Sequence, residues 1–244
     1  RRLESDCHRS PPKGQAEPGS VNSQVSGTGG EATETQESCV LTSIYMIAIT
    51  AEAMSGALTA GRRNMDLFGV AVIAFFTALG GGTVRDILLG NFPVTWTQHP
   101  RYIYMTITGG LVTIVIARFM RHLHQLFLVL DAIGLVAFTV IGCNVALKLG
   151  YDTVVVVMAG ITTGIFGGII RDILCNRTPQ VLRHELYASV SLMVAFLYLT
   201  LLRQGVGENV TLLAAFSLGL LLRMAAIRWG LSLPVFSYSQ TRWE

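Results

Sequence analysis

Charge is what this sequence has least of. Asp, Glu, Lys and Arg make up 14% of its 244 residues, about half the share of an ordinary soluble domain. A soluble fold of this size needs a polar exterior. A chain with 51% apolar residues and a mean hydropathy of +0.53 has little to build one from. Cysteine is scarce too. Cys7, Cys39, Cys143 and Cys175 have neither the density of a disulfide framework nor the spacing of a metal site. His99, His122, His124 and His184 fall in loops or at span ends, again without metal-ligand spacing. The run Gly80–Gly82 lacks the spacing and the Lys of a phosphate-binding loop. No nucleophile–base constellation is visible, and no basic block is dense enough for nucleic acid. These absences disfavour a cytosolic enzyme, a disordered regulator and a nucleic-acid binder. They set the expectation of an integral membrane protein that is not an enzyme and has no cofactor or metal.

The polar residues that are present lie mostly at the beginning. Residues 1–38 are rich in Ser, Thr, Gly, Glu, Gln and Pro, with four basic and six acidic side chains. Such a segment cannot bury enough apolar surface to offset its ordering entropy, so a disordered tail is expected there. It has no apolar stretch behind a basic region and does not read as a secretory signal. From Cys39 onward, apolar runs recur near 40–60, 67–91, 102–119, 126–147, 153–176, 186–202 and 209–227. Each reaches or approaches the ~20 residues that cross hydrocarbon, which predicts seven membrane helices. One set of loops carries Arg62, Arg63, Arg118, Arg121, Arg177, Arg183, Arg223, Arg228 and Arg242, and the other Arg101, Lys148 and Arg203. Nine against three places the tail outside and residues 231–244 in the cytoplasm.

The chain also resembles itself. At a shift of 86 residues, 66–93 lies on 152–179 with ten of 28 pairs identical, among them Gly81/Gly167, Gly82/Gly168, Arg85/Arg171, Asp86/Asp172 and Pro93/Pro179. Shared apolar composition does not readily produce charged, Gly and Pro residues in register. The repeat divides the chain into helices 1–3 (39–120), helices 4–6 (121–204) and a seventh helix (205–230). Three is odd, so the second unit enters the membrane from the opposite face. Inverted repeats of this kind recur in transporters, with sites near the midplane.

Three sets of residues carry chemistry. Gly80, Gly81 and Gly82, and Gly167 and Gly168, lie inside predicted helices 2 and 5. They admit two readings: helix breaks that free backbone amides for a small charged group, or close packing along small-residue stripes. Arg85-Asp86 and Arg171-Asp172 follow the glycines. At membrane depth such groups face a cavity or a partner, and a guanidinium suits a carboxylate. At a span end they would only snorkel. Neighbours on a helix point about 100° apart, so pairing within each Arg-Asp dipeptide is not expected. Glu52 in helix 1 and Asp131 in helix 4 are isolated acids, read as possible symmetry mates. They could hold an ammonium, a monovalent cation or a proton, or pair with Arg85 or Arg171.

The segments ALGGGTVRDILLGNFPVTW (78–96) and GIFGGIIRDILCNRTPQVLRHELYA (164–188) resemble the paired signature of a prokaryotic membrane family. That family carries a glycine-transporter domain name and is related in fold to the trimeric intracellular cation channels. The resemblance covers about 42–203. It implies seven helices in two inverted repeats kinked at the glycines, an outside N-terminus, and a homotrimer with one pathway per subunit. The leading expectation is transport of a small solute, with glycine or a similar amino acid favoured. In that reading Arg85 and Arg171, with Asp86 and Asp172, serve the carboxylate or gating, while Glu52 and Asp131 attract the ammonium or a coupling ion. The rivals are a passive potassium channel and a non-transporting structural or sensory protein. The expected setting is the inner or plasma membrane, with lipid as the surrounding partner.

Overall fold

The computed structural model describes residues 30–119, 122–182 and 186–230, with side chains from Val40 onward. Among these it is all-helical: α1 (Gly30–Gly61), α2 (Leu67–Leu88), α3 (Thr95–Gln98), α4 (Arg101–Ala117), α5 (Leu123–Lys148), α6 (Thr153–Leu174), α7 (Tyr187–Arg203) and α8 (Glu208–Trp229), with a 3-10 turn at Gln180–Leu182. All seven segments expected to be helical are helical, and every edge except the start of α1 falls within three residues of its predicted place. The short α3 and the 3-10 turn were not foreseen. Among the described residues, five helices are long and apolar enough to cross a membrane: Val40–Gly61 within α1, α2, α5, α6 and α8. The apolar α4 and α7 have 17 residues each, about 25 Å at the helical rise.

The tail expectation needs a correction at its end. α1 begins at Gly30, so residues 30–38 continue the first helix. Glu31, Glu34 and Glu37 are good helix formers, and acids suit a helix N-terminus. A helix already nucleated by the buried span propagates through them at little cost. The rest of the expected tail, 1–29, and the expected cytoplasmic tail, 231–244, lie outside the described residues.

Local chemistry explains the helix ends. The Asp66 carboxylate accepts a bond from the Gly69 amide at 2.7 Å and starts α2. Past α2 and α6 the chain reverses through a left-handed residue, Gly90 with φ 65° and Asn176 with φ 49°. Glycine and asparagine are the residues that tolerate this region, and the two stand 86 positions apart.

Packing is organised around α1, α2, α5 and α6, with α4 against α1 and α2, α7 against α5 and α6, and α8 against α5 and α7. α2 and α6 run antiparallel. The Tyr151 hydroxyl, just before α6, donates to the carbonyl of Leu89 just after α2, at 2.7 Å. At the other end Arg63, just before α2, donates to the carbonyl of Asn176 just after α6, also at 2.7 Å.

The glycines overturn the helix-break expectation. α2 is one uninterrupted α-helix through Gly80–Gly82, and α6 is one through Gly167–Gly168. No half-helix with free amides begins at Thr83 or Ile169. The glycines act by packing instead. A Cβ on Gly81 would overlap the backbone carbonyl of Thr163, and one on Gly167 would overlap that of Thr77. The antiparallel helices therefore meet backbone to backbone at residues that are repeat mates, as small residues permit. The same shift governs a second contact. Gly56 of α1 meets the Thr77 side chain, and Gly142 of α5 meets that of Thr163.

Gly81→Ala and Gly167→Ala should each lower the stability of the solubilised protein by about 1–3 kcal/mol, the usual cost of overpacking, read as earlier thermal unfolding. On Gly109 a Cβ meets nothing nearer than 3.7 Å. Gly109→Ala should be neutral or slightly stabilising, because alanine is the better helix former.

Candidate functional site

Each Arg-Asp dipeptide is buried, and each pairs with itself. Arg85 and Arg171 are 1% and 0% exposed, which removes the snorkelling reading. Arg85 donates to Asp86 Oδ1 from Nε at 3.0 Å and from Nη2 at 2.7 Å. Arg171 Nε donates to Asp172 Oδ1 at 3.1 Å. Expecting these neighbours to diverge considered only the Cα–Cβ directions. The long arginine stem folds back over its own turn and brings the guanidinium to the next carboxylate.

The aspartates also hold the segment beyond their helix. Asp86 Oδ2 accepts from the Thr95 amide at 3.0 Å and its hydroxyl at 2.8 Å, and Asn91 Nδ2 donates to Oδ1 at 3.1 Å. Asp172 Oδ2 accepts from the Gln180 amide at 3.0 Å. Each carboxylate thus ties down the short helical turn after Pro93 or Pro179. Trp96 joins this tether by donating to Thr83 Oγ1 at 3.1 Å.

Around Arg171 the polar groups converge from several helices. Its Nη1 donates to Asp131 Oδ1 on α5 at 2.6 Å and to Ser55 Oγ on α1 at 3.1 Å. Ser55 in turn lies 3.1 Å from Glu52 Oε2. The Tyr187 hydroxyl on α7 reaches Asp131 Oδ1 at 3.4 Å, and the Phe127 ring lies beneath the guanidinium at 4.8 Å. The structure therefore gathers Glu52, Asp131, Arg171 and Asp172 into one cluster and leaves Arg85 and Asp86 in another. Three carboxylates face one guanidinium, all of them buried. Glu52 Oε1, Asp131 Oδ2 and Arg171 Nη2 have no hydrogen-bond partner. Gly134 makes room for the Glu52 carboxylate, which a Cβ there would overlap.

Glu52 and Asp131 are not symmetry mates at this shift, which corrects the reading of them as a pair. The contacts of Gly56 and Gly142 fix the shift at 86, and this pairs Asp131 with Tyr45 and Glu52 with Phe138. Extending the shift of 66–93 into the first helix would have found these partners. Tyr187 carried no comparable signal.

The surroundings of Arg85 are different. Arg85 is among the residues lining a cavity of about 150 Å³, with Thr42, Tyr45, Thr95, His99, Tyr102 and Ile141. It also borders a second one of about 150 Å³ against Val155, Ala159 and Thr162 of α6. Arg85 Nη1 is buried without a hydrogen-bond partner.

Other polar residues serve packing. Thr139 and Thr163 return their hydroxyls to carbonyls of their own helices. Asn144 bridges Tyr198 at 2.9 Å and Glu208 at 2.7 Å, joining α5, α7 and α8. Arg223, counted from sequence among the loop residues, is buried in α8 with its guanidinium 4.7 Å from the Tyr187 ring.

The family model described as "Glycine transporter" matches residues 42–118 and 128–203. A UPF0126 membrane protein of Vibrio cholerae is 40% identical over 81% of this chain and 83% of its own length. The UPF0126 inner membrane protein YadS of Escherichia coli K12 is 40% identical over 77% of this chain and 92% of its own. Among solved structures, the TRIC trimeric intracellular cation channel orthologue from Rhodobacter sphaeroides superposes with a TM-score of 0.76 at 34% identity, covering 79% of this chain and 99% of that one. A second TRIC cation channel gives 0.74 at 36% identity, over 81% and 98%. The paired Gly-Gly-x-x-Arg-Asp helices thus sit in a fold shared with TRIC channels, and the chain belongs to the glycine-transporter-domain family of membrane proteins.

Proposed function

We propose that this protein conducts monovalent cations passively along a path within each subunit. The observation that carries the reading is the Arg171 cluster. Three buried carboxyl groups face the Arg171 guanidinium, with Arg223 a further cation beside Tyr187, which leaves a formal deficit of positive charge, and two carboxyl oxygens lack a hydrogen-bond partner. Such a deficit in an apolar bundle is costly unless a cation or a proton answers it. Both guanidiniums are already engaged by their own aspartates, and the helices present no free amide ends to a carboxylate. That removes the two features on which glycine recognition was expected to rest. The solved structures at 34% and 36% identity are described as cation channels, which supports the same choice.

In this reading the chain crosses the inner or plasma membrane seven times. The α1–α2–α4 unit and the α5–α6–α7 unit form two inverted repeats, with α8 outside them. The N-terminus lies outside and the C-terminus in the cytoplasm. With the buried Arg223 removed from the loop count, eight basic residues still face three. The subunits assemble as a homotrimer. Glycine transport is the second reading, favoured by the description of the family model.

Reconstituted into liposomes, the protein should pass potassium down its gradient and accumulate no labelled glycine. Saturable glycine uptake without potassium current would reverse the order of the two readings, and the absence of both fluxes would favour a structural or sensory role. Glu52→Gln and Asp131→Asn each remove one buried carboxyl group while keeping shape. Each should lower potassium permeability by roughly tenfold, the factor that about 1.4 kcal/mol carries. Lys148→Gln removes an exposed partner of Glu208 and should leave permeability unchanged.

A further inference from the structure

The three carboxyl groups around Arg171 are compensated unequally. Asp172 accepts from Arg171 Nε at 3.1 Å and from the Gln180 amide at 3.0 Å. Asp131 accepts from Arg171 Nη1 at 2.6 Å and from the Tyr187 hydroxyl at 3.4 Å. Among the described residues Glu52 forms no ion pair. Its side chain has one partner there, Ser55 Oγ, 3.1 Å from Oε2. Oε1 is buried against α5 at Gly134 and has none.

Counting protons around Ser55 decides what Glu52 carries. A hydroxyl has one proton to donate and two lone pairs that accept. Two Glu52 oxygens lie within reach of that proton, the main-chain carbonyl at 3.2 Å and Oε2 at 3.1 Å. Return to a carbonyl of the preceding turn is the common bond of a serine inside a helix. Arg171 Nη1 takes one lone pair at 3.1 Å. With Glu52 ionised, Ser55 satisfies the carbonyl or Oε2 but not both. With a proton on Oε2, Glu52 donates to the second lone pair, Ser55 donates to the carbonyl, and the whole capacity of the serine is used.

The charges nearby agree. The groups facing Glu52 are Asp131 from α5, Arg171 and Asp172 from α6 and Tyr187 from α7, with Arg223 of α8 beyond the Tyr187 ring. Two acids already share Arg171, so a third negative charge at a residue 1% exposed is costly. A proton removes that charge and needs no room. A cation at Oε1 needs the side chain to move off the backbone of Gly134.

We infer that Glu52 is a proton-binding site. Its carboxyl holds the proton on Oε2 and donates it to Ser55 Oγ. When a cation is bound in the cluster, the proton leaves to water and the cation takes over its single positive charge, so the two compete. The competition rests on the cation path proposed above; the proton on Glu52 does not.

The test is infrared difference spectroscopy of the purified full chain between about pH 6 and about pH 10, where a free glutamic acid is ionised throughout. A protonated carboxyl has a carbonyl stretch that a carboxylate lacks. The wild type should show that band at the lower pH and lose it at the higher. Glutamate carrying a heavy isotope at its side-chain carboxyl carbon should displace the band, and aspartate labelled likewise should not. Glu52→Gln should lack it, while Glu208→Gln, which removes the partner of Lys148, should keep it. A tenfold rise in potassium at constant ionic strength should move the loss of the band to lower pH by up to about one unit, the limit for one-for-one exchange. Choline should not move it. The proton site is overturned if the wild type has no such band, if labelled aspartate displaces it, or if Glu52→Gln retains it. Should Glu52→Gln fail to fold, the isotope labels decide. A band that potassium does not move overturns the competition and counts against a cation path through this cluster, while the proton site stands.

Discussion

A guanidinium cannot shed its charge, and in an apolar helix bundle it cannot be left alone. Removing such an ion from water costs several kcal/mol even after relaxation, so Arg85 and Arg171 dictate what must surround them. Each is answered first by the aspartate that follows it in sequence. That aspartate then captures the amide of a residue beyond a proline, Thr95 or Gln180. The buried arginine, the end of its helix and the next turn of chain are thereby tied into one unit. The unit occurs twice, at opposite ends of an antiparallel helix pair.

The pair is held together by an absence of side chains. Gly81 and Gly167 let α2 and α6 meet at their backbones, with Thr77 and Thr163 as reciprocal partners. A wider crossing would separate the helices that carry the two arginines and open gaps that apolar side chains would have to fill. The threonines there spend their hydroxyls on their own helices, Thr77 on Ile73 and Thr163 on Ala159, both at 2.6 Å. Polar groups at the crossing are thus satisfied locally, and the charged residues lie away from it.

Much of this was legible from residues alone because lipid imposes simple rules. Apolar run length placed the helices within three residues at nearly every edge, and charged matches such as Arg85/Arg171 exposed the repeat. The errors have physical causes. Glycine in a helix is ambiguous between a break and a close approach, and only the neighbouring helix decides: the carbonyl of Thr163 stands where a Cβ of Gly81 would be. Glu52 and Asp131 looked like mates because both are lone acids in apolar helices. Their register is set by how Gly56 and Gly142 pack, which the acids themselves do not encode. Arg223 resembled a loop cation because it lies near a span end, and its burial against Tyr187 depends on where α7 sits.

The two copies share their Gly, Thr and Arg-Asp positions at the 86-residue shift and differ in the charge around them. At one end of the bundle Glu52 and Asp131 add two carboxylates to an Arg-Asp pair; at the other, Phe138 and Tyr45 stand in their places and add none. In the proposed reading, a cation moving through the subunit would meet surplus carboxyl groups at one end and a closed Arg-Asp pair at the other. The end rich in carboxyl groups would lower the energy of a partly dehydrated cation, while the Arg85 end has no acid beyond the paired Asp86 to do so.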